Sequence, residues 1–141
     1  MDSQPRFGLT TADGRPPRVA IVDGNAASAM VSVALVRQFG GLPVIATNSE
    51  AALSLLRRDG GIDLVILDLG LSDREGLVLA QLIRTLGERG AMPILGLAAG
   101  PRLPGRAAGF SASLKKPYSP LSSYIWQKAV DAAYAEVHKK S

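Results

Sequence analysis

Asp68 closes an unbroken run of four bulky aliphatics, Leu64-Val65-Ile66-Leu67, and a loop follows at once. Asp23 closes a second run of the same kind, Val19-Ala20-Ile21-Val22, with Gly24 and Asn25 making the turn. Short apolar runs without polar alternation suit strands buried on both faces of a parallel sheet. Each carboxylate then stands at the carboxyl end of its strand, the edge where open α/β sheets place their chemistry. Ala98 and Lys116 end or follow two further candidate strands and fall on the same edge. Carboxylate and ammonium groups therefore converge there. The plainer alternative for Asp68 is that it only caps the following turn, as Asp often does.

The elements that must hold these residues are legible from punctuation and period. Residues 1–17 are polar, carry several prolines and glycines, and show no apolar period; they are expected to form a flexible leader. The strand to Asp23 comes next. Ala26 to Phe39 follows as a helix, with Met30, Val33, Ala34 and Arg37 at helical spacing and Gly40-Gly41 as its stop. Leu42–Thr47 is a second strand with Pro43 near its start. Asn48 or Ser49 caps a helix that turns Ala52, Leu55 and Leu56 inward and ends at Gly60-Gly61. After the third strand and its loop, Leu77 to Leu86 forms a helix through Leu77, Ala80, Leu82, Ile83 and Leu86, closed by Gly87 or Gly90.

Pro93–Ala98 reads as a fourth strand. Residues 100–106 hold two prolines and two glycines, so at most one or two turns of helix are expected near Arg106–Ala108. Ser111–Lys115 is a weak fifth strand, Lys116-Pro117 a turn, and Leu121–His138 a final helix whose continuous apolar side runs through Leu121, Ile125, Ala129 and Ala132. Strand and helix alternate throughout, which implies a parallel sheet covered by helices on both faces. The expected domain spans residues 18–138, with 139–141 as a tail.

Composition narrows the function classes. The 141 residues suffice for one domain with a core of its own, and 47% hydrophobic against 20% charged content marks a globular chain. No apolar run approaches a membrane span, and the N-terminus lacks the apolar centre of a signal peptide. Cys is absent, which excludes disulfides and thiolate metal sites and fits a cytoplasmic setting. The net charge of +4 comes from scattered basic residues, among them Arg57-Arg58, Arg84, Arg89 and Lys139-Lys140, and not from a basic stripe with interleaved aromatics. Solvated surface charge accounts for it, and neither nucleic acid nor a membrane is expected as partner.

Taken in order, these residues resemble the receiver domain of bacterial response regulators, and the resemblance runs from about Arg18 to His138. It implies a flavodoxin-like (CheY-like) three-layer α/β sandwich, a five-stranded parallel sheet with helices on both faces, here with the fourth helix shortened or irregular. Asp68 matches the phosphoacceptor and Gly76 the glycine of the loop that follows. Asp23 matches the first of the acidic pair after the first strand, at the family's usual separation from Asp68. Lys116, before Pro117, matches the lysine after the fifth strand, and Pro93 the proline that often opens the fourth. The resemblance further implies transfer of a phosphoryl group from a histidine kinase or phosphotransfer protein to Asp68. Mg²⁺ would be held by Asp23, Asp68 and the backbone carbonyl of Gly70, and Lys116 would offer its charge to the phosphoryl oxygens. Such a domain signals through a downstream protein partner or a homodimer and is not itself an enzyme.

Three positions depart from the family's residues, and a shortened segment accompanies them. Gly24 replaces the second carboxylate of the acidic pair, which should weaken Mg²⁺ binding, and Asn25 could add an oxygen only from one position off. Ala98 stands where receivers carry Ser or Thr and has no donor. Ser113 holds the place of the usual switch aromatic, and the stretch between Ala98 and Lys116 is short. Two readings follow: an atypical receiver phosphorylated at Asp68, or a pseudo-receiver that binds protein without phosphorylation. A haloacid-dehalogenase-type phosphatase would want a second Asp at position 70, which is Gly, and a flavodoxin-like cofactor binder would want a phosphate-cradling loop after the first strand. Tyr124 and Trp126 are candidates for a partner surface, although for Trp126 covering the edge of the core is the favoured expectation. Asp73 and Glu75 are expected to cap the helix after Asp68 or to reach the metal, and His138 to be an exposed tail residue.

Overall fold

The computed structural model describes residues 16–38, 40–69, 73–87, 92–98 and 109–115. Most of the expected leader, the short helix near Arg106–Ala108, the final helix and the tail lie outside the described residues. Within them the chain runs β1 (Arg18–Val22), α1 (Ala26–Gln38), β2 (Leu42–Ala46), α2 (Ser49–Arg58), β3 (Leu64–Asp68), α3 (Asp73–Arg84), β4 (Ile94–Ala98) and β5 (Ala112–Lys115). The strands pair in the order β2-β1-β3-β4-β5, every pair parallel. Strands β1 to β4 supply the interior, and β5 pairs along the edge of β4. The flavodoxin-like α/β arrangement implied by the sequence is therefore present, with three helices among the described residues.

Apolar runs become strands here because both faces of the sheet are covered. Ala20, Val22, Val65, Leu67 and Ile94 join one buried cluster with Ala52, Leu55 and Leu56 of α2 and Leu79, Ala80 and Ile83 of α3. Val19, Ile21, Leu64, Ile66, Leu95 and Leu97 alternate onto the opposite face and are as fully buried, and α1 packs against β1 and β2. Burying a side chain of this size is worth about 1.5–3 kcal/mol, so a one-residue slip of register would forfeit much of the core. Pro43 is accommodated because β2 is the edge strand, where the ladder does not need its missing N–H.

The helices need three corrections to the sequence reading. α1 does not turn Met30, Ala34 or Arg37 inward: Met30 is 57% exposed, and the buried positions are Ala29, Ser32, Val33, Leu35 and Val36. That helix is apolar almost all round, so its period could not select a face. α3 begins at Asp73, four residues before the expected start, because Asp73-Arg74-Glu75 forms a polar first turn ahead of the apolar period. Within it, Leu77 and Leu82 are exposed while Leu79, Ala80 and Ile83 carry the burial. α1 stops as expected, with Gly40 at φ +93 and the Gly41 N–H donating to the Val36 carbonyl. Among the described residues no helix is long and apolar enough to cross a membrane.

Arg84 is not the solvated charge that composition suggested. Its Nε and Nη2 donate to the Gly109 carbonyl at 3.0 and 2.6 Å, and its Nη1 donates to the Met92 carbonyl at 2.5 Å. The guanidinium thus ties the end of α3 to the residues leading into β4 and β5, and its partial burial lowers its pKa from the usual value. Arg84→Leu should cost about 2 kcal/mol, since charged donors are lost and two carbonyls are left unpaired. In urea the unfolding midpoint should fall while the slope stays the same.

Candidate functional site

The site grows from the point where the strand order reverses. β1 lies between β2 and β3, so the chain leaves β1 toward one side of the sheet and leaves β3 toward the other, opening a crevice between their carboxyl ends. Val22 of β1 is level with Leu67 of β3. The next residue along each strand is an aspartate, so Asp23 and Asp68 are brought side by side. Together with Gly24, Thr47, Asn48, Glu75 and Gly76 they line a cleft of about 90 Å³.

The two carboxylates sit in different surroundings. Asp68 is half-buried and receives the Ser28 hydroxyl on Oδ2 at 2.9 Å. Asp23 is only 4% exposed. Its Oδ1 accepts the Asn25 N–H at 2.9 Å, but its Oδ2 is buried with no hydrogen-bond partner. Burial raises the Asp23 pKa above the usual carboxylate value. The Asn25 N–H and the Ser28 hydroxyl oppose that rise, while Asp68 adds to it as hydrogen-bond partner and as a like charge. The pair therefore holds more negative charge than its own donors satisfy.

That imbalance decides whether a cation fits. An orphaned carboxylate oxygen beside a second carboxylate offers hard oxygen ligands, the donor type that Mg²⁺ takes. Asp23 and Asp68 would hold such an ion. Gly24 brings no carboxylate, and among the described residues no group of three or more acidic or histidine side chains is placed to bind a metal. The donor set fits a cation with few protein ligands. Asn25 does not enlarge it: its Oδ1 accepts the Ser28 N–H at 2.8 Å and its carbonyl accepts the Ala29 N–H at 2.9 Å, so it caps α1.

The remaining positions divide by place. Ala98 ends β4, is 2% exposed and belongs to the apolar cluster under α2 and α3. Ser113 is half-buried in β5, level with Gly96. Gly76 is buried in the first turns of α3, where a Cβ would come within 1.9 Å of the Leu69 Cδ2, so a larger residue there would require the Leu69 side chain to move. Glu75 faces the cleft from α3, while Asp73 opens that helix. Lys116, Gly70, Tyr124, Trp126 and His138 lie outside the described residues. Sequence reasoning did not single out Ser28 or Thr47. A serine three residues after a capping Asn is an ordinary helix start, so only the fold reveals what Ser28 touches.

The Asp23 environment has a consequence for stability. A carboxylate whose pKa is raised in the folded state binds its proton more tightly there than when unfolded. Stability therefore falls as pH rises from the ordinary value through the raised one, and the ionised group is unfavourable at neutral pH. Asp23→Asn keeps the acceptor for the Asn25 N–H and removes the charge. In metal-free buffer it should stabilise the fold by about 1 kcal/mol at about pH 7. The gain should vanish as pH falls through the raised pKa toward the ordinary carboxylate range, as measured by urea unfolding at both ends of the window.

Comparison with known proteins places this geometry. No protein-family model matches the sequence, and no curated protein matches it. Solved structures do. A CheY-like response-regulator receiver domain protein from Methanospirillum hungatei JF-1 superposes with a TM-score of 0.74 at 21% identity, over 89% of this chain and 99% of that one. A CheY-like receiver domain from Methylobacillus flagellatus gives 0.68 at 25% identity, over 81% and 98%. The chemotaxis response regulator CheY4 of Vibrio cholerae gives 0.70 at 21%, over 82% and 98%.

Proposed function

We propose that this chain, a CheY-like receiver domain by its fold, accepts a phosphoryl group on Asp68 and signals through protein–protein contacts. The observation that carries the reading is the placement of a half-exposed Asp68 in a cleft at the β1/β3 crevice, beside a buried Asp23 with an unpaired oxygen. The donor on this reading is a phosphohistidine of a kinase or phosphotransfer protein. An oxygen of the Asp68 carboxylate attacks phosphorus as the phosphorus–nitrogen bond breaks, and the imidazole nitrogen keeps the electron pair. No proton has to leave Asp68, so positioning and charge compensation are the whole task.

Charge compensation falls to Lys116 and to a cation that Asp23 and Asp68 would hold. Bound Mg²⁺ would supply positive charge that lets an anionic donor approach two carboxylates. Asp23 and Asp68 would hold it, at an affinity reduced by the absence of a carboxylate at Gly24. Lys116 follows β5 in the sequence and is expected to add a point charge at the phosphoryl oxygens. The chain acts as a phosphoacceptor and not as an enzyme with a substrate of its own, and it works on a downstream protein or on a second copy of itself.

Gly24 and the buried methyl of Ala98 favour a second reading, a pseudo-receiver that binds its partner without phosphorylation. One experiment separates the two. Intact mass is measured after incubation with acetyl phosphate and Mg²⁺, for the wild type and for Asp68→Asn. On the first reading the wild type gains one phosphoryl group and Asp68→Asn gains none. No gain in the wild type, with no response to beryllofluoride, sinks the first reading and leaves the second.

A further inference from the structure

We infer that Ser28 is the residue that positions the Asp68 carboxylate for phosphoryl transfer, supplying from α1 the hydroxyl that β4 does not carry. The inference rests on the reading of Asp68 as phosphoacceptor. Its basis is a chain of hydrogen bonds through the first turn of α1. The Asn25 N–H donates to Asp23 Oδ1 at 2.9 Å, and Asn25 Oδ1 accepts the Ser28 N–H at 2.8 Å. The Ser28 hydroxyl then donates to Asp68 Oδ2 at 2.9 Å. Asp23 is thus tied to the helix start through Asn25, and Asp68 through Ser28, whose hydroxyl also lies within reach of Asp23. Among the described residues the end of β4, on the other flank of β3, is Ala98, 2% exposed and without a side-chain donor.

The physical effect is restraint. A carboxylate at a strand end can turn about both side-chain torsions, and an attack on phosphorus needs one orientation. A hydroxyl anchored to a capped helix donates to a charged acceptor along a fixed direction and narrows those orientations. In the transfer from acetyl phosphate, an Asp68 oxygen bonds to phosphorus, the bond between phosphorus and the acetate oxygen breaks, and acetate leaves with the electron pair. Ser28 exchanges no proton in that step. It is a positioning residue and not a catalytic one.

The test compares the full-length wild type, Ser28→Ala and Ser28→Thr by time-resolved intact mass over a range of acetyl phosphate concentrations with Mg²⁺. Ser28→Ala should lower the maximal rate about ten-fold while the half-saturating concentration stays within about two-fold, the split expected when orientation is lost and donor binding is not. Ser28→Thr, which keeps the hydroxyl, should stay within about two-fold of the wild type. Equal maximal rates for wild type and Ser28→Ala overturn the inference alone. A wild type that gains no mass overturns the reading of Asp68 and the inference with it. A second readout needs neither metal nor donor: in a thermal-unfolding cycle of Ser28→Ala with Asp68→Ala, Ser28→Ala should destabilise the wild type more than it destabilises the Asp68→Ala background, whatever the sign of the Asp68→Ala effect alone. Additive losses overturn the inference.

Discussion

Parallel pairing of β1 and β3 sets Val22 level with Leu67, and each strand continues with an aspartate. The rest of the cleft answers that constraint. Two carboxylates held at adjacent strand ends repel, and burial of Asp23 makes its charge more costly still. The register cannot relax to separate them, because moving either strand by one residue would turn Ile21, Leu64 and Ile66 out of the core that they fill. The crowding is therefore fixed by hydrophobic burial far larger than the local electrostatic cost. The chain softens it with the donors that a helix start provides, the Asn25 amide on Asp23 and the Ser28 hydroxyl on Asp68.

The parts legible in the sequence are those where one physical effect acts alone. Strands buried on both faces have to be short aliphatic runs, so Val19–Val22, Leu64–Leu67 and Ile94–Ala98 stand out, and a carboxylate ending such a run is visible without a structure. The α2 face is legible for the same reason: Ala52, Leu55 and Leu56 are apolar against a polar remainder. The rest involves choices that sequence leaves degenerate. α1 has apolar residues on every side, and its burial is decided by contact with β1 and β2. Arg84 is one arginine among many until the carbonyls of Met92 and Gly109 are brought to it from the approaches to β4 and β5. Ser28 lies forty positions from Asp68 in the chain. Nothing local marks that pairing.

Gly24 and Ala98 look alike as substitutions, since each replaces a functional side chain by a small one, yet the structure separates them. Gly24 lines the cleft without a carboxylate, which on the proposed reading lowers the charge available to a cation, and the acidic lining is Asp23, Asp68 and, from α3, Glu75. Ala98 is enclosed with the apolar residues beneath α2 and α3, where an unpartnered hydroxyl would itself be unfavourable. On the proposed reading the first change weakens a ligand set. The second removes a donor from one flank of Asp68 and leaves the packing there complete.

The hydroxyl that does reach Asp68 comes from the opposite flank, and this alters which element can respond to a change at that residue. A charge or covalent change on a carboxylate is felt first by the group donating to it, and through that group by the backbone holding the donor. Here the donor is anchored in the first turn of α1 by the Asn25 cap, and that cap is bonded in turn to Asp23. The exposed Met30 and Val31 lie on the same helix, within its next turn. A shift of the Ser28 hydroxyl would therefore act on α1, whereas β4 meets this strand end through the Leu69 N–H to Leu97 carbonyl bond of the ladder and the buried methyl of Ala98, which offers no side-chain donor.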